Sequence, residues 1–186
     1  MQLTTGAIAP IFETEDVFGM RWNLTDLRGK KVLLSFFRNG ACALCNLQVH
    51  RLIEKADAWR KHGLTIIGIF ESSTDSVRQN VTRQKVPFTL IADPTGRIYD
   101  LYGVENSPEV AAAAVRSVQT PFYRDLIQSA HKIGYELIHE EGANFFRVPA
   151  DFLIDAEGHI ATAFYPPVIG LHLGFDVIED FLARPA

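Results

Sequence analysis

Cysteine is scarce in this chain. Only Cys42 and Cys45 occur among 186 residues, which excludes a disulfide framework holding a small fold together. It also argues against zinc, because a structural site takes about four ligands. The nearest histidines, His50 and His62, lie further along the same helical pattern. No glycine-rich phosphate loop and no nicotinamide fingerprint is present, so no bound cofactor is expected. No apolar run approaches the ~20 residues of a membrane span. Positive charge is not in excess: the net charge is −4 and the pI about 5.8, so a nucleic-acid surface is not indicated. Met1 to Gly6 lack the basic and apolar regions of a signal peptide. The expected location is therefore cytoplasmic, where a cysteine pair is more often catalytic than structural. The triplets Asn23-Leu24-Thr25 and Asn80-Val81-Thr82 are then chance glycosylation matches.

What is present suits one domain over residues 1–186. Hydrophobic residues make up 47% and charged residues 22%, enough apolar material for a sizeable core. Ile11 to Val17 and Arg21 to Leu24 read as a small hairpin. Lys31 to Phe37 and Leu64 to Phe70 are apolar runs with little alternation, as expected of strands buried on both faces. Between them, Cys42 to about Lys61 reads as a helix, stopped by Lys61-His62-Gly63. Leu44, Leu47, Leu52, Ala56 and Trp59 are expected to pack against the sheet. Strand, helix and strand of these lengths make a βαβ unit with a parallel sheet.

Further on, Ser73-Thr74-Asp75 opens a helix to about Gln84. Phe88 to Ala92 is a short strand and Arg97 to Tyr102 a short helix. The segment from Gly103 to Arg147 is too long for a plain connection. Within it, Ser107-Pro108-Glu109 and Thr120-Pro121 are two helix starts with proline at the first position. This insertion is read as a helical lid or a homodimer surface, or simply as packing on the sheet. Asp151 to Asp155 and His159 to Tyr165 form a hairpin, and Gly174 to Ala183 a closing helix.

The run from Val32 to Leu47 carries the chemistry. A buried strand ends, a polar break with Gly40 follows, and Cys42-Ala43-Leu44-Cys45 opens a helix. The first turn of a helix has unpaired N–H groups and the positive end of the dipole. A thiolate there is stabilised, and its pKa falls from about 8.5. Two cysteines three apart can close a disulfide, one attacking and the other resolving. Two inert core cysteines are the plainer alternative.

Phe36-Phe37-Arg38 with Gly40-Ala41-Cys42-Ala43-Leu44-Cys45 resembles the peroxiredoxin-like branch of the alkyl hydroperoxide reductase/thiol-specific antioxidant (AhpC/TSA) superfamily. Gly6 to Phe12 with Leu24 to Lys30 resembles its opening. Pro149 to Asp155 with Gly158-His159-Ile160 resembles the segment that carries the cis-proline of the thioredoxin fold. The resemblance implies an α/β thioredoxin-like fold: a central mixed sheet flanked by helices, an N-terminal hairpin, and the insertion 103–147 before a cis-proline strand. It places Pro149, after a cis Val148–Pro149 bond, beside Cys42 and Cys45.

Laid on the family's Pro-x-x-x-Thr-x-x-Cys loop, Cys45 takes the reactive position, Cys42 the threonine and Arg38 the proline. Pro149 stands where the family carries an arginine. Two activities are consistent with this: peroxide reduction through a Cys42/Cys45 disulfide, and thiol–disulfide exchange with protein or small-molecule disulfides. A third reading is a binding module that kept the fold and lost the chemistry. Arg38, and more weakly Arg147, are candidates to supply charge to a thiolate. Helix electrostatics make Cys42 the attacking sulfur, whereas the family register makes it Cys45. The histidines look scattered and mostly exposed, with none standing out as a base. Electrons would come from a partner thiol, a thioredoxin-like dithiol or glutathione.

Overall fold

A computed structural model describes residues 1–138 and 140–184. A short hairpin, β1 (Glu13–Glu15) and β2 (Arg21–Asn23), opens the chain. Then follow β3 (Lys31–Phe37), α1 (Ala43–Lys61), β4 (Leu64–Phe70), α2 (Thr74–Asn80), β5 (Thr89–Ala92) and α3 (Arg97–Leu101). The second half adds α4 (Pro108–Ser117), α5 (Pro121–Lys132), β6 (Ala150–Ile154), β7 (Ile160–Phe164) and α6 (Phe175–Ala183). The five-stranded sheet runs β5-β4-β3-β6-β7. β3, β4 and β5 are parallel, and β6 and β7 are antiparallel to their neighbours, so the sheet is mixed. This is the thioredoxin-like architecture expected from the residues.

Side chains alternate between two cores because a strand's successive Cβ atoms point to opposite faces. Leu33 and Phe37 of β3 join Val49, Leu52 and Trp59 of α1 on one face, with Ile178 and Phe181 of α6. Val32, Leu34 and Phe36 join Ile98 and Tyr99 of α3, with Phe12 and Leu24 of the N-terminal segment, on the other. β3 is central to the sheet and almost wholly buried, which explains its uninterrupted apolar run.

α5 lies on α1, where Tyr123, Leu126 and Ala130 meet Ala43 and Leu47. Leu47 therefore faces α5 rather than the sheet, and α1 is apolar on two sides. Beyond α5, an isolated bridge joins Asn106 and Arg147.

One expectation is corrected. No peptide bond among the described residues is cis, so Val148–Pro149 is trans. The trans form is the favoured one for an X–Pro bond, by about 0.5–1 kcal/mol, and an extended entry into β6 suits it. Val148 N–H donates to the Glu105 carbonyl at 3.4 Å.

Candidate active site

Strand β3 delivers Arg38 to the rim of the sheet, and a four-residue loop then turns into α1. Cys42 is the N-cap of that helix, with extended backbone (φ −61°, ψ 115°), and its Sγ accepts the Cys45 N–H at 3.3 Å. Sulfur here does what a serine or threonine oxygen does at a helix start. The sequence placed Cys42 in the first turn; one position earlier, its side chain points at the orphan donors instead of away from them.

The loop is held from several sides. Cys42 N–H donates to the Asn39 carbonyl at 3.2 Å. Gly40 N–H donates to Ser72 Oγ at 2.9 Å, and Ala41 N–H to Glu140 Oε2 at 3.1 Å. Ser72 Oγ donates in turn to the same carboxylate. Asn46 Nδ2 donates to the Gly40 carbonyl at 2.8 Å and to that of Cys42 at 3.1 Å. Glycine at position 40 permits a close approach: a Cβ there would stand 2.8 Å from Ser76 Oγ and 3.1 Å from the Ser76 backbone, so α2 would have to shift.

The two thiols sit in different electrostatic settings. Cys42 is lowered from its ordinary 9.0 to about 6, first by the hydrogen bond from Cys45 and then, against the cost of burial, by the Arg38 charge and backbone N–H groups. Cys45 is raised, first by burial and then by its bond to Cys42 and the negative charge there. The pair therefore stands as a Cys42 thiolate accepting from a Cys45 thiol. The Cys45 sulfur also accepts the Arg38 backbone N–H at 3.4 Å.

Only one of the sulfurs opens outward. Cys42 lines a cleft of about 270 Å³ together with Arg38, Asn39, Leu44, Glu140 and Phe145. Cys45 and Pro149 do not line it. The Arg38 guanidinium donates to the carbonyls of Arg147 (3.0 Å) and Phe145 (2.8 Å). No carboxylate pairs with it among the described residues, so its charge is left for the cleft. Arg147 is otherwise engaged. Its guanidinium makes a bidentate pair with Glu71, at 2.7 and 2.9 Å, with both side chains largely buried. Pro149 is buried one position beyond the last β3–β6 pair, Phe36 with Ala150.

The AhpC/TSA family model matches residues 5–163. The chain belongs to the AhpC/TSA family. It is similar to "Peroxiredoxin Bcp" of Escherichia coli (strain K12), with 29% identity over 102 residues, 55% of this chain and 65% of that protein. The chain thus matches less than two thirds of that relative's length. Among solved structures it is similar to peroxidoxin BcpB from Mycobacterium tuberculosis, with TM-score 0.66 and 14% identity over 97% of this chain and 94% of that one. It is also similar to a putative thiol:disulfide interchange protein DsbE from Chlorobium tepidum, with TM-score 0.59 and 20% identity over 88% and 86%. At those identities the structures establish the fold alone.

Within this AhpC/TSA chain the structure adds residues that spacing did not reveal. Asn39, Ser72 and Glu140 come to the site from three separate segments. His172 is the exception to histidines that are mostly exposed: its side chain is only 4% exposed and pairs with Asp151 at 3.0 Å. Asp151 also accepts from Ser35 Oγ at 2.7 Å and Leu173 N–H at 2.8 Å. A signal existed: Ser35 and Asp151 are lone polar residues in apolar strands, and the β3–β6 register sets them opposite each other. His139 lies outside the described residues.

Proposed function

We propose that this protein is a thiol peroxidase in which Cys42 attacks and Cys45 resolves. The observation that carries the reading is the contrast between the two sulfurs: Cys42 has a pKa lowered to about 6 and faces a cleft beside Arg38, whereas Cys45 is protonated behind it. The Cys42 thiolate attacks the outer oxygen of a hydroperoxide. The O–O bond breaks, the departing oxygen takes a proton from solvent and leaves as alcohol or water, and Cys42 becomes a sulfenic acid. The Cys45 sulfur then attacks the Cys42 sulfur; the Cys45 proton and the expelled hydroxide leave as water, and a disulfide remains. A partner dithiol or glutathione returns two electrons and two protons. Arg38 lowers the pKa of Cys42 and offers charge to the departing oxygen. Pro149 acts as a positioning residue, directing the Arg147 carbonyl towards Arg38. The protein works in the cytoplasm, and its dimer, where one forms, uses the insertion.

A second reading is thiol–disulfide exchange. It is favoured by the apolar rim of the Cys42 cleft, where Leu137, Ile138 and Phe145 are 54%, 61% and 44% exposed. Such a rim suits a peptide partner as well as a small peroxide. Hydrogen peroxide consumption and insulin disulfide reduction, measured with one donor, separate the two. Faster insulin reduction would overturn the peroxidase reading. Native protein that shows no two-proton mass loss after mild peroxide would leave only a binding module.

A further inference from the structure

A second cleft, also of about 270 Å³, opens on the opposite flank of α1 and α5. Gln48 and Arg51, one helical turn apart on α1, line it with His172 of the loop before α6. Phe122 and Leu126 of α5 and Phe175 of α6 supply apolar walls. Cys42 and Cys45 take no part in it, and no acidic side chain lines it.

The three polar side chains turn unpartnered polar atoms to the cleft, among the described residues. Gln48 is only 7% exposed, yet its carboxamide makes no hydrogen bond among the described residues. Arg51 pairs with no carboxylate among them. The His172 ring is 4% exposed and is fixed through Nδ1 by Asp151, and Nε2 has no partner among the described residues. Asp151, itself anchored by Ser35 and Leu173, gives the ring one orientation, as a preformed site requires. Gly170 lets the loop approach closely: it has φ +87°, and a Cβ there would stand 3.0 Å from Leu44 and 3.1 Å from Leu126.

We propose that this cleft binds a small organic anion, a carboxylate on an apolar body. Arg51 and the Gln48 amide meet the carboxylate, His172 closes the polar end, and Phe122, Leu126 and Phe175 take the chain. A half-exposed guanidinium that pairs with no carboxylate among the described residues favours negative charge. The apolar walls select for a tail that phosphate or acetate lacks.

A reporter is built in. The Trp59 ring meets Phe175 edge-on, with centroids 5.0 Å apart. In full-length Trp22→Phe protein, Trp59 is the sole indole, since the chain has two tryptophans. Octanoate should shift its emission saturably. Octan-1-ol, with the chain but no charge, and acetate, with the charge but no chain, should each bind at least about tenfold more weakly. Arg51→Gln should weaken octanoate by about tenfold or more while leaving the unfolding midpoint unchanged, and Gln48→Leu should act in the same direction. Equal affinity for octanoate and octan-1-ol would overturn the proposal. So would an Arg51→Gln protein that binds octanoate as well as the parent, or a flat titration confirmed by calorimetry.

Discussion

Arg38 and Arg147 lie side by side at the end of the sheet and do opposite work. Arg147 is sealed in, with its guanidinium clasped by Glu71 and seated 4.6 Å from the centre of the Tyr99 ring. Arg38 is half-exposed; its guanidinium donates to two backbone carbonyls and lies 5.6 Å from the centre of the Phe145 ring. Carbonyl oxygens orient a guanidinium without cancelling its charge, whereas a carboxylate cancels it. One arginine therefore holds the wall of the site together and the other keeps a field directed into the cleft. They are also joined: Arg38 donates to the Arg147 carbonyl, and the Arg38 carbonyl accepts the Glu71 N–H at 3.0 Å.

The sharpest break of this comparison is at the sulfurs on which the field acts. Cys42→Ser should reduce peroxide turnover to background, while Cys45→Ser should keep one round of oxidation and stop at the sulfenic acid, trapped by dimedone and read by mass. A Cys42→Ser protein that retained the low-pKa thiol would reverse the roles. Next, Arg147→Ala should destabilise the fold by about 3–5 kcal/mol, because it leaves Glu71 buried without its counter-charge. Urea unfolding measures this, and a loss under about 1 kcal/mol would show that the pair does not hold the wall.

Arg38→Gln should do the reverse, changing reactivity and not stability. The Cys42 pKa should rise, so iodoacetamide labelling at pH 6.5 should slow by a few fold, with the urea midpoint nearly fixed. The smallest effect is on pH dependence. In the parent, labelling of Cys42 should titrate with a midpoint near 6. The folded pKa lies below the unfolded one, so the fold binds the thiolate form preferentially. That stabilisation is fully present above about 9 and is lost as pH falls through about 6. A Cys42→Ser protein should show a flatter stability profile across this window.

The fold was legible wherever local pattern and global role agreed. β3 and β4 begin and end where the apolar runs of Lys31 to Phe37 and Leu64 to Phe70 do, because central parallel strands are covered on both faces. Ser107 and the proline after it opened α4 as their chemistry requires. Leu47 misled, since helical spacing marks an apolar face without saying what covers it. Val148–Pro149 misled too, since a proline permits the cis bond but the surrounding chain path chooses.

The sequence by itself determined the sheet, the helix behind it and the pair of cysteines at their junction, because periodicity, glycine stops and capping are written in neighbouring residues. Tertiary structure alone decided which sulfur faces the cleft and which arginine keeps its charge free. It also decided that Glu140, Ser72 and Asn39 gather at the loop and that Asp151 pins His172. Those outcomes depend on distances between segments up to about a hundred residues apart, as from Ala41 to Glu140. Charge and burial act through space, and no spacing along the chain encodes them.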